Sequence, residues 1–159
     1  MKQYRINEIF YSLQGEGVRA GCPSLFVRFS RCNLRCTVET HGFDCDTEFE
    51  SGQELTIEEI RSRLAALSTE CEWIVLTGGE PALQIDDALV EALHSAGYKL
   101  AVETNGTLEL PRGLDWITVS PKVDEPEIRI QAWKCHRSPG DNVPPRVGMP
   151  PPAPPLTLL

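Results

Sequence analysis

Four short apolar runs, each cut off by polar or glycine-rich residues, constrain this chain most. They are Leu25-Phe26-Val27-Arg28-Phe29, Trp73-Ile74-Val75-Leu76-Thr77, Lys99-Leu100-Ala101-Val102-Glu103 and Trp116-Ile117-Thr118-Val119-Ser120. Their β-branched and aromatic content predicts strands. Between them lie helix signals. Thr56-Ile57-Glu58-Glu59 has the form of a capping box, and Ile57, Ile60, Leu64 and Leu67 follow at helical spacing. A second helix is predicted from an N-cap at Asp86 to Ala96, with Leu89, Val90 and Leu93 on its apolar face and Gly97 as its stop. Strands alternating with helices imply βαβ units and a parallel sheet. In such sheets function collects at the C-terminal strand ends. The expected fold is therefore α/β, a partial (β/α) barrel of parallel strands with its polar strand ends on one rim.

The 159 residues make room for one domain with a real core. A net charge of -8 argues against nucleic-acid binding, which needs clustered Lys and Arg. No apolar run is long enough to span a bilayer. The N-terminal Met1-Lys2-Gln3-Tyr4-Arg5-Ile6 lacks a signal-peptide stretch, so the expected location is the cytoplasm, where thiols stay reduced. The six cysteines then read as ligands or buried thiols rather than three disulfides. The predicted organisation is a core over residues 1–122 and a divergent tail over 123–159. Eight of the 21 residues from Pro139 to Leu159 are proline, which predicts an extended or disordered end; a ligand for a domain that reads polyproline helices is the alternative.

Three cysteines sit just after the first run, spaced Cys32-x3-Cys36-x8-Cys45. Three thiolates can hold three irons of a four-iron cluster and leave the fourth iron open. Two alternatives stand beside this: a zinc loop with His41 as fourth ligand, and simple packing. Thr77-Gly78-Gly79-Glu80-Pro81 is the second signal, because glycines at a strand end let backbone approach a ligand closely; an ordinary turn is the plain reading. Glu103-Thr104-Asn105-Gly106 and Ser120-Pro121-Lys122 are weaker alone and gain from recurring at successive strand ends. Gln14-Gly15-Glu16-Gly17 suggests a tight loop near a ligand and is no P-loop, since no Gly-Lys-Ser/Thr follows. Arg28, a charge inside an apolar run, either faces solvent or points inward as a clamp for a carboxylate.

Together the cysteine loop, the Gly-Gly-Glu-Pro turn and the polar strand ends resemble radical S-adenosylmethionine (SAM) enzymes. The usual spacing there is C-x3-C-x2-C, from which this chain departs by eight residues before Cys45. Phe10-Tyr11-Ser12-Leu13-Gln14-Gly15-Glu16-Gly17, the loop ending Cys45-Asp46-Thr47, and Thr77-Gly78-Gly79-Glu80-Pro81 closely resemble the 7-carboxy-7-deazaguanine synthase family, some members of which carry an enlarged cysteine loop. The resemblance covers residues 4 to about 122. It implies a radical SAM core and a lyase that converts 6-carboxy-5,6,7,8-tetrahydropterin to 7-carboxy-7-deazaguanine with loss of ammonia, in 7-deazapurine (queuosine) biosynthesis. It implies a [4Fe–4S] cluster on Cys32, Cys36 and Cys45; SAM contacts from Gly79, Glu103, Ser120, Pro121 and Lys122; Mg²⁺ on Thr47; and substrate contacts from Leu13, Gln14, Gly15, Arg28 and Thr77. No side chain is assigned as a catalytic acid or base. The implied partners are an electron donor such as a flavodoxin or ferredoxin and a second copy in a homodimer, with no nucleic acid or membrane. Thr47 has a plain reading as a turn residue. From about Asp124 the chain departs from the family: there is no later strand ending in a Gln-Pro turn and no terminal His-Lys segment, so the end reads as a replaced terminus. The alternatives are another radical SAM activity, such as a glycyl-radical activase, and an inactive metal-binding fragment.

Overall fold

The computed structural model describes residues 2–15, 17–34, 36–41, 45, 48 and 50–122. The side chain of His41, Thr47 and the tail expected over 123–159 lie outside the described residues. Six strands form one sheet: β1 Tyr4–Leu13, β2 Pro23–Phe29, β3 Gln53–Leu55, β4 Trp73–Gly78, β5 Lys99–Thr104 and β6 Trp116–Val119. Their order across the sheet is β3-β1-β2-β4-β5-β6. β2, β4, β5 and β6 run parallel, and these are the four strands the sequence predicts.

The departure lies at the other edge. β1 pairs antiparallel with both β2 and β3, so the sheet is mixed rather than wholly parallel. β1 is hard to read because its register shifts between Ile6 and Glu8. Tyr4 and Ile6 enter the main core, and after the shift it is Ile9 that packs there. A single period-two pattern therefore never runs the length of the strand. β3 is too short to give a pattern at all.

Among the described residues three α-helices accompany the sheet: α1 Val38–His41, α2 Ile57–Leu67 and α3 Asp87–Ser95. The capping box of α2 forms as expected, with Thr56 Oγ1 accepting from the Glu59 amide and the Glu59 carboxylate accepting from the Thr56 amide. Asp86 caps α3 by accepting from Leu89 N–H at 3.0 Å. Its carboxylate also takes Tyr4 Oη at 2.8 Å and Lys2 Nζ at 2.7 Å, which ties the helix start to β1.

Alternation along the strands divides the sheet into two unlike faces. Leu25, Val27, Phe29, Ile74, Leu76, Leu100 and Val102 point to one side and pack with Ile60 and Leu64 of α2 and Leu89, Val90 and Leu93 of α3. This is the main core. Among the described residues, the buried apolar cluster on the other side is Phe26, Val75 and Ala101, with Phe10, Trp73 and Trp116 packed around them. Phe10 stacks on Phe26 with ring centroids 4.9 Å apart. Arg28, Thr77 and Glu103 stand two residues further along on this second face, so a polar row follows the apolar floor toward the C-terminal rim of the parallel strands.

Candidate active site

The polar row is built by register. Glu8 is level with Arg28, and Arg28 with Thr77. Arg28 Nη1 lies 3.2 Å from Glu8 Oε1, and the guanidinium sits 5.5 Å from the Phe10 ring centroid. Arg28 is half-buried on this second face, and its carboxylate partner Glu8 is part-exposed. Thr77 Oγ1 donates to Glu103 Oε2 at 2.8 Å, and Gln14 Nε2 donates to Glu103 Oε1 at 2.7 Å. The Glu103 carboxylate thus links the end of β1 to β4 across the sheet. Gln14 is buried, whereas Leu13 and Gly15 beside it are exposed. The Gln14 backbone is closed into a turn by its N–H to Cys22 O and by Gly21 N–H to Gln14 O.

The rim is held by its own backbone. Gly78 has φ +129, and a Cβ there would overlap the Phe29 carbonyl oxygen and lie 2.5 Å from Phe29 N. The close approach that the glycine allows at this position is to β2. Gly79 N–H then donates to Phe29 O at 3.0 Å, and Glu80 N–H to Arg31 O at 2.9 Å. Arg31, the residue before Cys32, has φ 73, a left-handed conformation that costs an ordinary side chain about 1–2 kcal/mol. The bond from Glu80 helps to hold it there.

Glu80 is fully buried. Its Oε1 accepts from Ala82 N–H at 3.0 Å and Thr104 Oγ1 at 2.7 Å, and its Oε2 accepts from Asn105 N–H at 2.8 Å. Asn105 Nδ2 in turn donates to Asn33 Oδ1, and Asn33 Nδ2 to Thr107 Oγ1. The Gly-Gly-Glu-Pro turn, the end of β5 and the start of the cysteine loop are therefore one hydrogen-bonded unit. Sequence reasoning missed Glu80, Asn33 and Asn105 as its joints. An acid followed by proline at a strand end was the available signal, but nothing in it says that the acid turns inward.

The thiols gather above this unit. Cys32 Sγ accepts from Leu34 N–H at 3.4 Å, and Cys45 N–H donates to Cys36 O at 3.2 Å. Burial pushes the Cys32 thiol up from its ordinary pKa; the Leu34 amide opposes this, and the nearby charges of Glu80, Cys36 and Cys45 add to it. Cys36 is raised by burial first and by Cys45 next, with Lys122 pulling the other way. The three sulfurs and the Lys122 ammonium are thus within electrostatic reach of one another. Ser120 N–H bonds Thr104 O at 2.9 Å and Lys122 Nζ bonds Ser120 Oγ at 2.9 Å, while Pro121 is exposed between them.

None of the three cysteines is in a disulfide. Among the described residues no three of His, Cys, Asp and Glu converge as on a single ion. A four-iron cluster asks for something else, because each thiolate binds a different iron. Three thiols on one loop match that donor set in number and chemistry.

The sequence pattern of the family described as "4Fe-4S single cluster domain" matches residues 13–109. Among similar proteins is the 7-carboxy-7-deazaguanine synthase of Bacteroides thetaiotaomicron, 50% identical over 118 residues, 74% of this chain and 60% of that one. The synthase of Bradyrhizobium diazoefficiens is 47% identical, over 75% of this chain and 63% of its own length. That of Caulobacter vibrioides is 43% identical, over 79% and 67%. The crystal structure of QueE from Escherichia coli superposes with a TM-score of 0.63 at 28% identity, covering 78% of this chain and 63% of that one. The chain thus spans less than two thirds of the first two relatives and of that structure.

Proposed function

This chain belongs to the 7-carboxy-7-deazaguanine synthase family, and we propose that it performs the family's reaction: the radical SAM conversion of 6-carboxy-5,6,7,8-tetrahydropterin to 7-carboxy-7-deazaguanine with loss of ammonia. The observation that carries the reading is the juxtaposition of the polar row with the three-thiol rim. Cys32, Cys36 and Cys45 would hold a [4Fe–4S] cluster with an open iron. When bound, the cluster and SAM supply one-electron chemistry that ordinary side chains lack.

The chain's own residues bind and orient. Arg28 offers a planar fork of donors suited to a substrate carboxylate, and exchanging Glu8 for that carboxylate is how it would engage. Gln14 and Thr77 reach the substrate as polar contacts, held in place by Glu103, while Leu13 and Gly15 line the approach. Gly79, Ser120, Pro121 and Lys122 would meet SAM along the rim, with Glu103 at its lower edge. The Phe10, Phe26, Val75 and Ala101 floor keeps that end of the site free of competing water. Thr47 would bring a hydroxyl oxygen to Mg²⁺, a cation that prefers oxygen ligands. A flavodoxin or ferredoxin would supply the electron, the working unit would be a homodimer, and the location would be the cytoplasm. None of the described helices is long and apolar enough to cross a membrane.

The test is anaerobic reconstitution with iron and sulfide, then incubation of the reduced protein with SAM, Mg²⁺ and the carboxytetrahydropterin. The expected result is a broad visible absorbance that is lost in Cys32→Ala, and 5′-deoxyadenosine formed together with 7-carboxy-7-deazaguanine. Stoichiometric zinc without iron would overturn the cluster. SAM cleavage with some other substrate would overturn the narrow assignment, and a cluster that never cleaves SAM would leave only metal binding.

A further inference from the structure

Among the described residues, two cysteines take no part in this site. Cys22 is exposed at the start of β2, and Cys71 is half-buried just before β4. β2 and β4 pair in parallel from Leu25 level with Ile74 onward. Both cysteines lie just ahead of these paired strands, and a disulfide asks for a Cα separation of roughly 4.4–6.8 Å. A side-chain contact brings the two segments together. Cys71 Sγ lies 3.6 Å from Pro23 O, one residue from Cys22.

The guanidinium of Arg19 stands beside both. Burial lowers its pKa, and the charges of Cys22 and then Cys71 push the other way. It stacks 3.5 Å from the Trp73 ring centroid, and its Nη1 is buried without a hydrogen-bond partner. The thiolate is the form that attacks disulfides.

We propose that Cys22 and Cys71 form a reversible disulfide across the N-terminal ends of β2 and β4, made by exchange with a low-molecular-weight disulfide of the glutathione type. The exposed Cys22 thiolate attacks one sulfur of the small disulfide and expels a small thiolate. The Cys71 thiolate then attacks Cys22 Sγ and expels the second. Two protein thiols lose two protons and two electrons, and the small disulfide becomes two thiols. The bond clamps the turn that carries Gln14, since Cys22 O receives the Gln14 amide at 2.9 Å, to the strand that carries Thr77. The inference does not rest on the reaction proposed above.

The test uses the full chain, with and without its iron–sulfur centre, equilibrated anaerobically with graded mixtures of oxidised and reduced glutathione. Free thiols are then alkylated and the chain is cut with trypsin. The peptide 20–28 contains Cys22 alone, and the peptide 64–99 contains Cys71 alone, so their link is unambiguous by mass. The expected product at the oxidising end is the 20–28/64–99 pair, lighter by two hydrogens than the separate peptides and released by dithiothreitol. In Cys71→Ser, Cys22 should stop at the glutathione adduct. If in the native sequence both cysteines end as separate glutathione adducts, remain alkylated throughout, or pair with other cysteines, the proposal fails.

Discussion

Replacing Glu80 with glutamine keeps size and shape and changes only what the side chain offers its neighbours. In the native chain three donors converge on the buried carboxylate: Ala82 N–H, Thr104 Oγ1 and Asn105 N–H. Glutamine has one oxygen and one NH₂. Its cheaper orientation keeps the oxygen on Ala82 and Thr104 and turns the NH₂ toward Asn105 N–H. One charge-assisted bond, worth about 1.5–3 kcal/mol, is then lost, and a buried donor is left facing a donor at about 1–3 kcal/mol more. The two remaining bonds lose their charge assistance. Glu80→Gln should therefore destabilise the chain by about 3–5 kcal/mol, a large part of the roughly 5–15 kcal/mol that holds a domain together. With a urea slope of about 1–3 kcal/mol/M, the unfolding midpoint should fall by about 2 M. Thr104→Ser keeps the hydroxyl and should cost under about 1 kcal/mol. Because Asn105 bonds Asn33, Glu80→Gln should also slow cluster reconstitution. A loss below about 1 kcal/mol, or equal losses in Glu80→Gln and Thr104→Ser, would refute the account of Glu80 as the shared acceptor of the rim.

Three further outcomes follow from other parts of the structure. Gly78→Ala places a Cβ against the Phe29 backbone at φ +129 and should cost about 3 kcal/mol or more, from strain and overpacking together. Gly97→Ala, at φ +91 with nothing within 4 Å, should cost only about 1–2 kcal/mol; equal urea midpoints for the two would contradict the steric argument. Asp86→Ala should lose about 1–2 kcal/mol with the α3 cap. Burial raises the Asp86 pKa, but bonds from Lys2, Leu89 N–H and Tyr4 outweigh it and hold the group below its ordinary 3.8. The native advantage over Asp86→Ala should therefore be complete above the ordinary value and fade as pH falls through the lower folded one; urea midpoints across the acid range would show it, and a gap unchanged down to the lowest pH would not fit. Arg28→Ala should weaken carboxytetrahydropterin binding while leaving iron uptake unchanged, and equal loss of both would make Arg28 structural.

The four parallel strands and two main helices were legible because each carries its signal locally. Leu25–Phe29 and Trp73–Thr77 are mainly apolar runs, and the α2 and α3 caps lie within four residues of the helices they start. What was hidden depends on tertiary register. β1 shifts phase between Ile6 and Glu8, so its apolar residues do not alternate evenly, and β3 is three residues long. In the site, the cysteine spacing and the polar strand ends suggested a cluster and a functional rim from the sequence. They could not show that Glu103 joins Gln14 to Thr77, that Glu8 meets Arg28, or that Glu80 turns inward, because each of these pairs is far apart in sequence or set by the direction of a single side chain.

The three thiols are not held alike, and the difference follows from the fold. Cys32 continues directly from β2. Its approach is set by Gly79 and Glu80 amides on Phe29 and Arg31, and its exit by Asn33 on Asn105 and Thr107. Cys36 and Cys45 share a backbone bond with each other, Cys45 N–H to Cys36 O at 3.2 Å. Burial pushes both the Cys32 and the Cys36 thiol up, so these two favour the protonated form and must lose a proton to bind iron. On the proposed cluster reading, the hydrogen bonds on either side of Cys32 would fix that corner of the site before any iron arrives, and metal uptake would be coupled to proton release at Cys32 and Cys36.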